Sequence, residues 1–277
     1  IQLLGLAPNW VVVLSIICSL LLASLFFYRE KQAENPIIPL SIFKKRDLNG
    51  DFLLFAFTWG AFIAVNTYLP MWAQALLGMS ALLGGMTLIP NSVVEIIASQ
   101  TVATIQEHLR TFTLVMIGIV TMMISSGGMF LADLKTPLWL LTTIAAFSGI
   151  GVGFIFVALQ VKVQIDAGMK DMPTATSTSY LIRILSQTMM SAIYGVIMNL
   201  SLEHGIAHRT DITMTMMNKL SDAKSARSLP QHLIPDMRQI FHSGIKEIML
   251  VSFILLIIAT VFNFYFNLKK TPKKILK

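Results

Sequence analysis

Seven stretches of this chain are apolar over about twenty residues or more: 3–27, 52–76, 81–105, 111–132, 137–159, 174–200 and 248–268. About 20 residues of helix cross the roughly 30 Å of hydrocarbon in a bilayer. Lipid offers the backbone no hydrogen-bond partner, so only helices and closed barrels span it, and segments this long without alternation are not barrel strands. The sequence therefore predicts an all-α membrane protein of seven transmembrane helices. Composition agrees: 13% of the 277 residues are charged, against about 25% in a soluble domain.

Charge placement sets the expected orientation. Thirteen Lys and Arg lie on one side: Arg29, Lys31, Lys44, Lys45 and Arg46 in loop 28–51, then Arg110, Lys162 and Lys170, and Lys269, Lys270, Lys273, Lys274 and Lys277 in the tail. The opposite short loops, 77–80 and 133–136, hold only Lys135, although the long connection 201–247 holds six and weakens the contrast. Cytoplasmic loops hold the basic excess, so the thirteen-charge side and the C-terminus are expected inside. The basic runs lack interleaved aromatics and any nucleic-acid module; the lipid bilayer is their expected partner, not nucleic acid. Ile37 to Phe43 forms an apolar patch suited to the inner surface. The chain starts at Ile1, almost within its first span, and reads as a fragment whose beginning is missing. A single cysteine, Cys18, excludes an internal disulfide.

The six spans after loop 28–51 fall into two sets of three, 52–132 and 137–268, the arrangement of a nested inverted repeat. Connection 201–247 is polar and expected to be a solvated loop. His204 and His208 stand four apart, but Gly205 between them and the lack of a third ligand argue against a metal.

An ionisable residue near the middle of a span costs about 2.5–3.5 kcal/mol on the lenient insertion scale. Glu95 is such a residue. Thr87, Asn91, Glu95 and Ser99 recur at i, i+4, so they form a polar stripe behind Pro90, which removes a backbone hydrogen bond and bends the helix. Two roles stay open: a proton or cation partner, or a protonated carboxyl that glues a neighbouring helix. Arg183 is the second charge within a span, on a face shared with Thr176, Tyr180, Gln187, Ser191 and Tyr194. It either serves the interior or snorkels to the headgroups. Asn66 interrupts an aromatic-rich span with Phe52, Phe55, Phe57, Trp59, Phe62, Tyr68 and Trp72, rings that pack or line a pocket. In "SGIGVGF" (148–154), Gly149 and Gly153 make a GxxxG, a close-packing surface, and not a phosphate loop. No nucleophile with its base, zinc motif or Walker sequence is present, so the residues suggest neither an enzyme nor a cofactor.

Three stretches carry a resemblance. "FFYREKQAENPIIPLSIFKKRDL", "YLPMWAQALLGMSALLGGMTLIP" and "ATSTSYLIR" resemble, in order and spacing, the C-terminal half of a 14-helix drug:proton antiporter of the major facilitator superfamily (the DHA2-type multidrug efflux family). The resemblance implies a last linker transmembrane helix (1–27), a cytoplasmic loop (28–51), a six-helix bundle (52–268) with a long extracellular loop at 201–247, and a basic cytoplasmic tail (269–277). It also implies that spans 52–76, 81–105, 137–159 and 174–200 line a central cavity while the other two support it. Glu95 would then couple protons or cations, and Asn66, Asn91, Tyr180, Arg183 and Gln187 would line the substrate cavity. Glu107 and Arg110 would lie in the cytoplasmic gating loop, which here lacks the glycines of the superfamily's motif. After Arg183 the family's Gln and Gly pair is replaced by Ile184, Ser186 and Gln187.

The expected function is bacterial inner-membrane export of lipophilic or cationic compounds in exchange for protons, together with an N-terminal half. The alternatives are a non-transporting membrane remnant or scaffold and a major facilitator exporter of another solute, a metabolite or lipid.

Overall fold

The computed structural model describes residues 42–207, 209–221 and 223–268, with isolated helical positions between 14 and 29. Most of span 3–27, residues 37–41 of the apolar patch, His208 and the tail lysines lie outside the described residues. After a 3-10 turn at Ile42–Lys44, the helices are α1 (Arg46–Met71), α2 (Ala81–Met86), α3 (Ile89–Ile105), α4 (Thr111–Leu131), α5 (Leu138–Ala167), α6 (Met172–Ile206), α7 (Met214–Leu220), α8 (Ala223–Ala226) and α9 (Ile234–Asn267). Six membrane-crossing units result among the described residues: α1 with its extension to Leu76, α2 with α3, then α4, α5, α6 and α9.

Proline and glycine mark the interruptions. Pro70 lies inside α1, and two residues later the helix widens into a π turn at Trp72–Leu76, a common accommodation of a lost backbone bond. Pro90 falls in the first turn of α3. The expected bend is therefore a break at residues 87 and 88, with Thr87 in the turn and its Oγ1 donating to the Gly84 carbonyl at 2.6 Å. Gly168, at φ +78°, turns the chain from α5 into α6.

The ends of the helices group as alternate crossings require. At one end Lys45 Nζ donates to the Ala167 carbonyl and to Asp171, both at 2.8 Å, so the start of α1 meets the turn between α5 and α6. Arg46 bonds Tyr265 and Gly50 lies against Phe266, bringing the end of α9 to the same place. This is the basic end. The Lys45 ammonium holds the Asp171 carboxyl below the usual carboxylate range, chiefly through their hydrogen bond.

One apolar core, with Leu48, Phe55, Leu114, Ile119, Ile155 and Leu159, fills the basic end. A second, with Leu69, Trp72, Leu141, Tyr194, Phe241 and Ile245, fills the other. Connection 201–247 departs from the expected solvated loop. Its flanks extend α6 to Ile206 and start α9 at Ile234, and Ile212, Met217, Leu220, Leu229 and Leu233 are buried in the second core. The polar residues between them concealed an apolar set that lies down as a cap.

Helix α5 is the hub, packed on α3 and α4. A Cβ added at Gly149 would overlap the Asn91 carbonyl, and one at Gly153 would stand 2.7 Å from the Glu95 carbonyl. The GxxxG therefore seats α3 backbone to backbone. Gly151 turns the other way and meets the Gly118 carbonyl of α4. Gly149→Leu or Gly153→Leu should lower stability in detergent by about 1–3 kcal/mol or more through overpacking. Gly195→Ala, at a site with nothing within 4 Å, should leave it unchanged; thermal unfolding followed by size exclusion checks the contrast. The Lys45–Asp171 contribution should hold above the unfolded aspartate titration near pH 4 and disappear as pH falls through the lower folded value, a dependence that Asp171→Asn abolishes in unfolding scans.

Candidate functional site

Glu95 sits mid-helix on α3, half-buried, and its carboxylate makes no hydrogen bond or ion pair among the described residues. The backbone at this position does the packing: the Glu95 carbonyl presses on Gly153 and accepts from Ser99 Oγ at 2.8 Å. Asn91, one turn earlier, is 1% exposed, and its Oδ1 is buried without a hydrogen-bond partner. The stripe therefore holds together along Asn91, Glu95 and Ser99, with Thr87 set off at the break.

The α6 stripe divides. Tyr194 is fully buried and donates its hydroxyl to the Gly60 carbonyl at 2.9 Å, a packing contact between α6 and α1. Tyr180 is exposed, Gln187 half-buried and Ser191 exposed. Arg183 points inward and does not pair with Glu95. Its guanidinium lies 4.7 Å from the ring centre of Phe156, 5.1 Å from Phe55, 5.2 Å from Trp59 and 5.4 Å from Tyr180. Each such contact contributes about 0.5–2 kcal/mol, enough together to offset the burial of one cation. Arg183 Nε donates to the Ser179 carbonyl at 3.4 Å, and Nη2 to Gln160 Oε1 at 3.5 Å.

On α1, Asn66 is half-buried, on a face with Ile63, Thr67, Pro70 and Gln74 that is likewise only partly covered. Thr58 and Gln74 bond their own helix, at Leu54 and Pro70. Glu107 and Arg110 are exposed in the turn between α3 and α4 and form no ion pair with each other.

A second charged cluster lies where the sequence reading placed loop boundaries. Lys162 belongs to α5, not to a loop. Its Nζ lies 2.5 Å from Asp51 on α1 and 2.9 Å from Asp166 one turn along its own helix. The side chains of Asp51, Lys162 and Asp166 are 0%, 9% and 8% exposed. The signal was present in "LQVKVQIDAG": a lysine and an aspartate at i, i+4 amid apolar residues, the spacing of an intrahelical pair. Gln160 and Phe156 carried no such signal, because their role comes from α6 lying across them.

These features describe a multi-pass helical membrane protein that keeps ionisable groups within its bundle, one paired in a cluster, one caged by rings and one open. Residues 5–199 match the Major Facilitator Superfamily. The chain belongs to that superfamily, whose members are transporters rather than enzymes. It is 31% identical to Multidrug resistance protein 3 of Bacillus subtilis (strain 168) over 232 residues, 80% of this chain and 42% of that protein. Identity to Multidrug transporter protein MdtP of the same organism is 27%, covering 63% of this chain and 32% of that protein. Identity to Multidrug efflux pump SdrM of Staphylococcus aureus (strain N315) is 25%, covering 66% and 40%. The chain thus spans less than half the length of the relatives it matches.

Removing one partner from the cluster should be more damaging than removing all. Lys162→Met leaves two buried carboxylates together and should destabilise by about 3–5 kcal/mol. Combining it with Asp51→Leu and Asp166→Leu should recover most of the loss, as read from melting temperature in one detergent.

Proposed function

We propose that this chain is the C-terminal part of a 14-helix, proton-coupled multidrug exporter, consisting of a last linker span and the six-helix bundle. The names of the bacterial relatives support multidrug export, and their greater length supports an N-terminal half as partner. The basic end faces the cytoplasm in this reading, because it gathers Lys45, Arg46, Arg110 and Lys170. The host membrane is the bacterial inner membrane, with the C-terminus inside.

The observation that carries the mechanism is the Glu95 carboxylate. Its helix is clamped glycine-tight on α5, yet the side chain takes no part in the joint. Packing glue would hydrogen-bond the neighbouring helix; this group is left available to a proton or a cationic compound. Binding of either neutralises a charge that the bilayer interior disfavours. Competition between the two for one carboxylate is the simplest form of exchange: the proton must leave for the cation to enter, and the reverse. Asn66, Asn91, Tyr180, Arg183 and Gln187 supply the remaining polar lining, and alternating access follows from rocking of this bundle against the other half. Glu107 and Arg110 sit on the gating turn, where charges of both signs can engage the facing half.

Glu95→Gln in the full-length polypeptide should abolish proton-driven efflux of cationic dyes, a drop of at least about tenfold, without loss of membrane-inserted protein. Undiminished dye export by that variant, in everted vesicles with an imposed proton gradient, would refute the assignment.

A further inference from the structure

We propose that the ring cage around Arg183 is a second ligand subsite, of opposite charge to Glu95, which binds the carboxylate of lipophilic aromatic acids. The inference rests on the reading of this bundle as the substrate-binding half of an exporter, and adds a substrate class to it. Arg183 is 8% exposed and forms no ion pair among the described residues. The four rings stabilise its charge but offer nothing to its N–H groups in the guanidinium plane. Its two hydrogen bonds, at 3.4 and 3.5 Å, are at the long limit, so most of its donors lack a close acceptor. Gln160 adds to this imbalance. Its Oε1 accepts from Arg183 and lies 3.3 Å from Ser179 Oγ, whose one hydroxyl proton is closer to the Thr176 carbonyl at 2.7 Å, while its Nε2 is buried with no hydrogen-bond partner.

The cage is therefore rich in donors and poor in acceptors. The planar fork of a guanidinium matches a carboxylate bidentately, and buried donors strengthen the match. One side of the cage is uncovered. Phe55 and Trp59 form a buried floor, whereas Phe156 is 37% and Tyr180 60% exposed on the open side. A flat acid entering between those two rings would present its carboxylate to Arg183 and Gln160 and its apolar body to the aromatic faces. A cation there would meet a positive charge instead.

The test is calorimetric titration of the purified full-length polypeptide in detergent with three probes of one shape: 1-naphthoate, 1-naphthalenemethanol and 1-naphthylmethylammonium, each corrected against empty micelles. The native chain should bind 1-naphthoate about tenfold more tightly than the neutral probe, as charge-assisted hydrogen bonds require. Arg183→Gln should erase that preference, Arg183→Lys should keep part of it, and Gln160→Leu should weaken 1-naphthoate alone. Equal affinities in the native chain, or an acid preference that survives Arg183→Gln, would overturn the subsite. If Arg183→Gln elutes as aggregate, the other two variants decide, and unchanged 1-naphthoate affinity in both overturns it. Binding in detergent needs no turnover, so a failure here is separate from a failure of proton-driven dye efflux.

Discussion

The contact of α3 on α5 is the interaction on which the site depends. With Gly149 and Gly153 facing the carbonyls of Asn91 and Glu95, the two helices meet through their backbones, with the Asn91 amide and the Ala98 methyl group beside the contact. Such contacts replace the hydrophobic drive that helices lack among lipid chains. They also set the rotation of α3. Once the carbonyl of Glu95 is pinned against α5, its side chain is fixed beside the joint, and Ile89, Val93, Ile96 and Ile97 are turned outward.

Three charge environments coexist in one small bundle, two buried and one half-buried, and they meet the desolvation problem differently. Lys162 is held between two carboxylates, a local solution that ties α1 to α5. Arg183 is dispersed over aromatic faces. Glu95 has neither. A paired charge whose partner is also protein is a poor candidate for ligand exchange, because any ligand must displace a partner that is already in place. The divergence separates the cluster at the basic end, which ties two helices, from Glu95 and Arg183, the two positions proposed as sites.

Six of the seven expected spans and the Asn91, Glu95, Ser99 stripe were legible in the sequence because apolar length and helical spacing are local properties, whereas the direction of Arg183 was open until its rings were in place. The boundaries at 46–51 and 160–167 were not. Asp51, Lys162 and Asp166 read as loop charges, and only the meeting of α1 with α5 makes them a buried set. The cap at 206–233 was hidden for the same reason: Ile212, Met217 and Leu220 are sparse along the chain but converge on a core supplied by Trp72 and Phe241. The cage could not be read either, since its rings come from three separate helices, Phe55 and Trp59 from α1, Phe156 from α5 and Tyr180 from α6. Pro90 was read as a bend and became a break, the stronger form of the same effect.

The cap also has a mechanical consequence. Gly205 rests against Ile240, Arg209 bonds Asp236, and α7 fills the angle between them, so α6 and α9 are strapped together at the end remote from the basic loops. Two long helices joined at one tip behave as a single lever. His242, bonded to the Ala132 carbonyl at 3.1 Å, extends the same tie from α9 to the far end of α4.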